Sequence, residues 1–104
     1  MATITKTCYS YKLQSNSSPN TPGGNADVTC YDRQGTLVGI LHFDENGFGN
    51  VSGGRLNQNQ QIEIFYHFRS LESVIAILHT KKPVTLIIDP DQNHLGYIIT
   101  QRIR

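Results

Sequence analysis

An alternation of apolar and polar residues, interrupted only by Phe65, runs through residues 61–69 and constrains the fold more than any other feature of the chain. The apolar face consists of Ile62, Ile64, Tyr66 and Phe68. The opposite face consists of Glu63, Phe65, His67 and Arg69. A period of two over such a length predicts a β-strand with one face in the core.

Helical spacing replaces this alternation directly afterwards. The apolar stripe of this segment consists of Leu71, Val74, Ile75 and Leu78. Ser70 suits the N-cap, Glu72 suits the positive end of the helix dipole, and Pro83 ends the segment. The pattern predicts one amphipathic helix over about residues 70–81.

β-Branched and aromatic residues predict further strands. These cover residues 3–13, 26–32, 35–43, 84–89 and 95–103, with a short return strand around 48–52. Turn signals separate them at residues 33–35, 45–47 and 89–93. Pro, Gly, Ser and Asn dominate residues 14–25, which predicts a flexible surface loop.

The order of these elements predicts a mostly β protein of the α+β class with five to seven strands and a C-terminal hairpin. Two arrangements fit: a curled antiparallel sheet covered by the helix, or a small OB-like barrel. The length of 104 residues predicts a single domain over residues 1–104. The expected core consists of Leu37, Leu41, Ile62, Ile64, Phe68, Val74, Ile75, Leu78, Leu86 and Ile88.

The charge of the chain argues against some classes of function. Nine Lys and Arg against eight Asp and Glu give a net charge of +1, whereas nonspecific nucleic-acid binding depends on many phosphate contacts. The sequence has no apolar run of transmembrane length and no signal-peptide pattern at its start. We therefore expect a cytoplasmic protein with no membrane partner. Only 16% of the residues are charged, which favours self-association.

Cysteine and histidine positions suggest no metal site or cofactor. Cys8 and Cys30 lie in predicted strands, and we interpret them as buried free thiols, with a cross-strand disulfide or a reactive thiol as alternatives. The histidines are scattered over different elements, at His42, His67, His79 and His94.

A turn around residues 89–93 resembles the opening of a calcium-binding loop. Asp89, Asp91 and Asn93 stand at alternate positions. The glycine and the glutamate that should follow are replaced by His94 and Thr100, so we predict an ordinary turn.

The polar face of the 61–69 strand is the strongest candidate for a binding site. The predicted ligand-binding residues are Glu63, Phe65, His67 and Arg69, together with Arg55 from the glycine-rich stretch 47–55. An exposed Phe65 among polar neighbours indicates that a loop, a partner subunit or a ligand covers this face. Backbone amides of the glycine-rich stretch, with Arg55, suit a phosphate or carboxylate.

Three functions remain open. The preferred one is a non-enzymatic, homo-oligomeric binding module for a small anionic ligand, such as a nucleotide, or for a protein partner. An OB-like single-stranded nucleic-acid binder is the second, using an aromatic and basic face made of Lys6, Tyr9, Tyr11, Lys12, Tyr31, Arg33, Phe65 and Arg69. A small hydrolase or isomerase with His67 and Glu63 as an acid–base pair is the third. No catalytic residue is assigned, because no nucleophile motif is present.

Overall fold

The computed structural model describes residues 3–18, 21–44, 53–81, 83–89 and 95–100. These residues form β1 (Ile4–Cys8), β2 (Ser10–Ser18), β3 (Thr21–Tyr31), β4 (Leu37–Asp44), β5 (Gly53–Leu56), β6 (Ile62–His67), a 3₁₀ turn (Phe68–Ser70), α1 (Leu71–Thr80), β7 (Val84–Asp89) and β8 (Leu95–Thr100). The mostly β class with one helix before a C-terminal strand pair is confirmed. The predicted turns at 45–47 and beyond Asp89, the return strand at 48–52 and His94 lie outside the described residues.

The strands form two sheets. The smaller sheet has the order β1-β7-β8, and the larger has the order β2-β3-β4-β6-β5. All pairs are antiparallel except β4 and β6, which run parallel. β5 pairs with the edge of β6 that faces away from β4, and it is antiparallel to β6. The chain therefore reverses direction twice between β4 and β6, and these two strands run parallel. The described strands therefore form neither the predicted barrel nor a single antiparallel sheet, and they number eight rather than five to seven.

The predicted first strand divides in two at Tyr9. β1 pairs with β7 in the smaller sheet, whereas β2 pairs with β3 in the larger one. The backbone N–H of Tyr9 donates to the carbonyl of Tyr31 at 2.8 Å. The inward positions change at this break: Cys8 is buried in β1, and Tyr11 packs against the core from β2. This switch explains the irregular alternation of residues 3–13.

Most of the segment 14–25, predicted as a loop, is the end of a long hairpin. Gln14 lies opposite Asp27, Asn16 opposite Asn25, and Ser18 opposite Thr21. A β-ladder is made by main-chain groups, so polar residues extend it once the neighbouring residues are paired. The prediction of a loop, which rested on composition alone, is therefore wrong for most of this segment.

The core joins both sheets and α1. Its buried residues are Cys8, Ala26, Val28, Cys30, Leu41, Phe43, Ile62, Ile64, Val74, Leu78, Val84, Leu86 and Ile88. Phe68 and Ile75 pack against it as half-buried residues, in agreement with their predicted inward faces. Leu37 is the exception: it is the first residue of β4 and is only half-buried.

Two glycines set the contact between β5 and β8. A Cβ atom on Gly96 would come within 3.0 Å of the Cα and N atoms of Gly54. A Cβ atom on Gly54 would come within 3.1 Å of the Gly96 Cα. Backbone therefore meets backbone here, and only glycine permits this separation between the sheets.

The helix begins one residue later than predicted and is preceded by the 3₁₀ turn. Ser70 lies within that turn and its side chain makes no capping hydrogen bond. Instead, Nδ1 of His67 accepts from the backbone N–H of Arg69 at 3.2 Å. Val74 and Leu78 are buried, as their spacing predicts. None of the helices among the described residues has the length and apolar character needed to cross a membrane.

Candidate functional site

Glu63 lies at the centre of a polar cluster on the outer face of the five-stranded sheet. It is only 7% exposed. Arg55 donates to its Oε1 through Nε at 2.9 Å and Nη2 at 2.8 Å, and Asn57 donates to its Oε2 at 2.9 Å. Nε2 of His42 lies 3.4 Å from the same Oε1. Glu63 thus points away from the core, as its position in the strand predicts, but its neighbours bury it there.

Strand pairing assembles this cluster. Arg55 of β5 lies directly opposite Glu63, and His42 of β4 lies opposite Phe65. Asp27 of β3 lies opposite His42 in turn. Side chains at directly opposite positions come within contact distance on one face of a sheet. Four neighbouring strands therefore each contribute a side chain to the same patch.

The ring of Phe65 joins two members of the cluster. The imidazole of His42 stacks on it, with ring centroids 4.9 Å apart and planes inclined by 14°. The Cζ atom of Arg55 lies 5.2 Å from the centroid on the same ring, within the range of a cation–π contact. Side chains of the two neighbouring strands, His42 and Arg55, thus contact Phe65, whereas the sequence predicted a loop, a partner subunit or a ligand there.

A carboxylate faces each ring nitrogen of His42. Its Nδ1 lies 2.8 Å from Oδ1 of Asp27, and its Nε2 faces Glu63. His42 is therefore the histidine that meets Glu63. The alternative that pairs His67 with Glu63 is not supported, since four positions along a strand separate them by about 13 Å.

Opposing influences set the charge of Glu63. Burial raises the pKa of its carboxyl group. The hydrogen bonds from Asn57 and Arg55, together with the charges of Arg55 and His42, lower it further than burial raises it. The net pKa lies below the usual value of 4.5, so Glu63 is ionised at neutral pH and holds the Arg55 guanidinium.

Arg55 is the exposed member of the cluster, with 60% of its side chain accessible. It lines an open cleft of about 490 Å³ together with Leu56, Asn57, Gln58, Asn59 and Glu63. The turn that forms this cleft is internally bonded, because Oδ1 of Asn57 accepts from the backbone N–H groups of Asn59 and Gln61. A guanidinium has five N–H donors, so Glu63 leaves part of this capacity for other acceptors.

The other two predicted site residues lie elsewhere. His67 is exposed and bonds to the backbone of the 3₁₀ turn. Arg69 lines a separate, largely apolar cleft of about 420 Å³ with Leu13, Phe68, Leu71, Glu72 and Ile75. The structure therefore unites Arg55, Glu63 and Phe65, separates His67 and Arg69 from them, and adds Asp27, His42 and Asn57.

Cys8 and Cys30 are both buried and unbridged, as predicted. A hydrogen bond with the Cys8 side chain, which favours the protonated form of Cys30, raises the pKa of the Cys30 thiol well above its ordinary range, and burial raises it further. Such a thiol is a poor nucleophile, which disfavours the reactive-thiol alternative. Within the described segments, no group of His, Cys, Asp and Glu is arranged to hold a metal ion.

Two cation–π pairs form among the aromatic and basic residues that were predicted to share one face. The Cζ atom of Arg33 lies 4.8 Å from the ring centroid of Tyr9, and Nζ of Lys12 lies 5.6 Å from that of Tyr31. Tyr11 instead packs against the core.

The groups that contact Glu63 hold its carboxylate by hydrogen bonds and charge. Its contacting groups are a guanidinium, an amide and an imidazole, and none of these is a hydroxyl or thiol nucleophile. The outward, accessible group is the fixed guanidinium of Arg55. Comparisons with protein-family models, with curated proteins and with solved structures found no match to this chain.

Proposed function

We propose that the chain is a non-enzymatic binding module that recognises a small anionic ligand, such as a nucleotide, through Arg55. One observation carries the proposal: Glu63 and Phe65 fix the Arg55 guanidinium, and Arg55 lines an open cleft. The cleft volume of about 490 Å³ lies within the range of small-molecule sites.

A fixed guanidinium binds anions better than a free one. A long side chain loses rotational freedom when it binds a ligand, and contacts with Glu63 and Phe65 have already removed much of that freedom. The planar donor pattern matches the two oxygens of a carboxylate or a phosphate. Gln58 and Asn59 add side-chain amides to the same cleft, where they are able to bind polar groups of the ligand.

The charge balance of the cleft predicts how binding depends on salt. Glu63 offsets the charge of Arg55, so recognition depends on short hydrogen bonds more than on a long-range positive field. Binding of a small anion here should therefore weaken only modestly with added salt. A nucleic-acid surface behaves differently, because its affinity falls steeply with salt.

Substitution of Arg55 tests the proposal. Arg55→Lys keeps the charge but removes the planar donor pattern, and it should weaken binding of adenosine monophosphate in this cleft about tenfold or more, as measured by the NMR amide shifts of residues 55–63 during titration. Arg69→Lys is the matched control, since Arg69 lies outside the cluster, and it should leave binding unchanged. Equal affinities of wild type and Arg55→Lys would refute a role for Arg55.

We also propose that copies of the chain associate. Support comes from exposed apolar side chains on outer strands: Leu13 on β2, and Leu95 and Ile99 on β8. Outer strands of a sheet have unpaired main-chain groups that another copy can bind. Native mass spectrometry should show an oligomer that Leu13→Asp or Ile99→Asp dissociates, and a monomer in the wild type would refute this. A protein partner and a cytoplasmic location stay predictions.

A further inference from the structure

A second open cleft lies between β1 and the turn that joins β3 to β4. Its volume is about 500 Å³, and Thr5, Lys6 and Thr7 of β1 line it together with Asp32, Arg33 and Gln34 of the turn. None of these residues belongs to the Glu63 cluster. The cleft therefore requires an explanation separate from that of Arg55.

The only carboxylate among these lining residues is already bound. Oδ1 of Asp32 accepts from the backbone N–H groups of Gln34 and Thr36, both at 2.9 Å. The Asp32 carbonyl also accepts from the N–H of Gly35, whose φ of 85° suits glycine in this tight turn. Among the residues that the structure describes, no carboxylate forms an ion pair with Lys6 or Arg33. Both cations are therefore available to a ligand.

Tyr9 holds Arg33 at the edge of this cleft. The guanidinium lies over the Tyr9 ring at 4.8 Å, and Nη2 of Arg33 donates to the Tyr9 hydroxyl at 3.3 Å. Two contacts on one side chain restrict its motion, so the cation stays at the cleft that Lys6 also lines. Thr5 and Thr7 provide hydroxyl groups, which commonly accompany Lys and Arg in contacts with phosphate.

We propose that this cleft is a second anion-binding site, which takes the phosphate group of a small phosphorylated molecule between Lys6 and Arg33. Two cations and one internally bonded carboxylate leave a net positive charge, in contrast to the offset charge at Arg55. A dianionic phosphate gains more from two cations than a monoanionic carboxylate does. Binding at this site should therefore weaken markedly with salt, and it does not depend on the proposed role of Arg55.

Titration of the whole chain with inorganic phosphate and with adenosine monophosphate, followed by amide chemical shifts in NMR, tests the proposal. The amides of residues 5–9 and 32–36 should shift with both probes. Lys6→Gln and Arg33→Gln should each weaken binding in this cleft about tenfold, and their combination should abolish the shifts of residues 5–9 and 32–36. Lys6→Gln leaves the contact between Arg33 and Tyr9 in place, so it remains informative if Arg33→Gln disturbs the turn.

Two controls separate this site from other surfaces. Lys12→Gln removes a cation that lies over Tyr31 and does not line the cleft, and Arg55→Lys alters the other cleft; both should leave these shifts unchanged. Shifts confined to residues 55–63, unchanged affinity in Lys6→Gln and Arg33→Gln, or no shifts with either probe would overturn the proposal. Tighter binding of a single-stranded oligonucleotide that also requires Lys12 would replace it with a nucleic-acid surface.

Discussion

Replacement of Glu63 by Gln should destabilise the fold although it changes the shape of the side chain very little. A glutamine retains one carbonyl oxygen for Arg55 but presents an NH₂ group to the amide of Asn57. That amide cannot turn round, because Oδ1 of Asn57 already accepts from the backbone of Asn59 and Gln61. Two donors would then face each other at a buried position.

The magnitude follows from the bonds that are lost. A buried polar group without a partner costs about 1–3 kcal/mol. The two bonds from Arg55 lose their charge assistance, which costs about 1 kcal/mol after allowance for the 60% exposure of that side chain. We expect Glu63→Gln to lower the free energy of unfolding by about 2–4 kcal/mol at neutral pH.

The effect should depend on pH in a defined direction. The pKa of Glu63 in the folded chain lies below the usual 4.5, because its hydrogen bonds and neighbouring charges outweigh burial. Its ionised form therefore stabilises the fold above the pKa of the unfolded chain, and this contribution is lost as the pH falls through the folded value. The difference between wild type and Glu63→Gln should narrow as the pH falls below 4.5.

Urea denaturation of both proteins at neutral and acid pH measures these differences. Glu72→Gln is the matched control: it removes an exposed carboxylate that, among the described residues, interacts only with the N-terminal dipole of α1, and it should change the free energy of unfolding by less than about 1 kcal/mol. A Glu63→Gln protein as stable as the wild type at neutral pH would refute the structural role of the cluster. A constant difference at all pH values would refute the lowered pKa.

Two further substitutions test the packing of the sheets. Gly96→Ala places a Cβ atom 3.0 Å from the backbone of Gly54, so it should cost about 1–3 kcal/mol in urea denaturation; a neutral effect would contradict the close approach of β5 and β8. Ile64→Ala removes a side chain that is 1% exposed and should lower the free energy of unfolding by about 2–5 kcal/mol, whereas Ile99→Ala, at an exposed position, should lower it far less. Equal losses of stability in the two variants would contradict the assigned faces.

The sequence predicted the faces of the elements well. Alternation over residues 61–69 identified the inward position of Ile64, and helical spacing identified those of Val74 and Leu78. These patterns are local, because burial imposes a period on each element by itself. The change from the smaller sheet to the larger sheet at Tyr9 has no such local pattern, since it depends on the partner strands: β7 pairs with β1, and β3 pairs with β2.

A β-bulge explains why Asp27 escaped prediction. The turn at residues 33–35 sets a register in which the backbone of Asp32 bonds to that of Thr36. If this register continued along both strands, Asp27 would lie opposite Leu41. The bulge between Cys30 and Tyr31 shifts the pairing by one residue, so Asp27 instead meets His42. A shift of one residue exchanges the faces of a strand, and residue types alone do not locate such a shift.

The parallel pairing of β4 with β6 explains why the cluster as a whole escaped prediction. Alternation established that Glu63 and Phe65 share the outer face, but it carried no information about which strand lies beside them. Parallel neighbours are distant in sequence, and here the pairing places His42 opposite Phe65 across a connection that includes β5. With β5 on the other side, Glu63 is enclosed between Arg55 and His42 and becomes a buried anion. The sequence therefore indicated which residues share the outer face. Strand order determined that one of them, Glu63, fixes Arg55, which we propose binds the ligand.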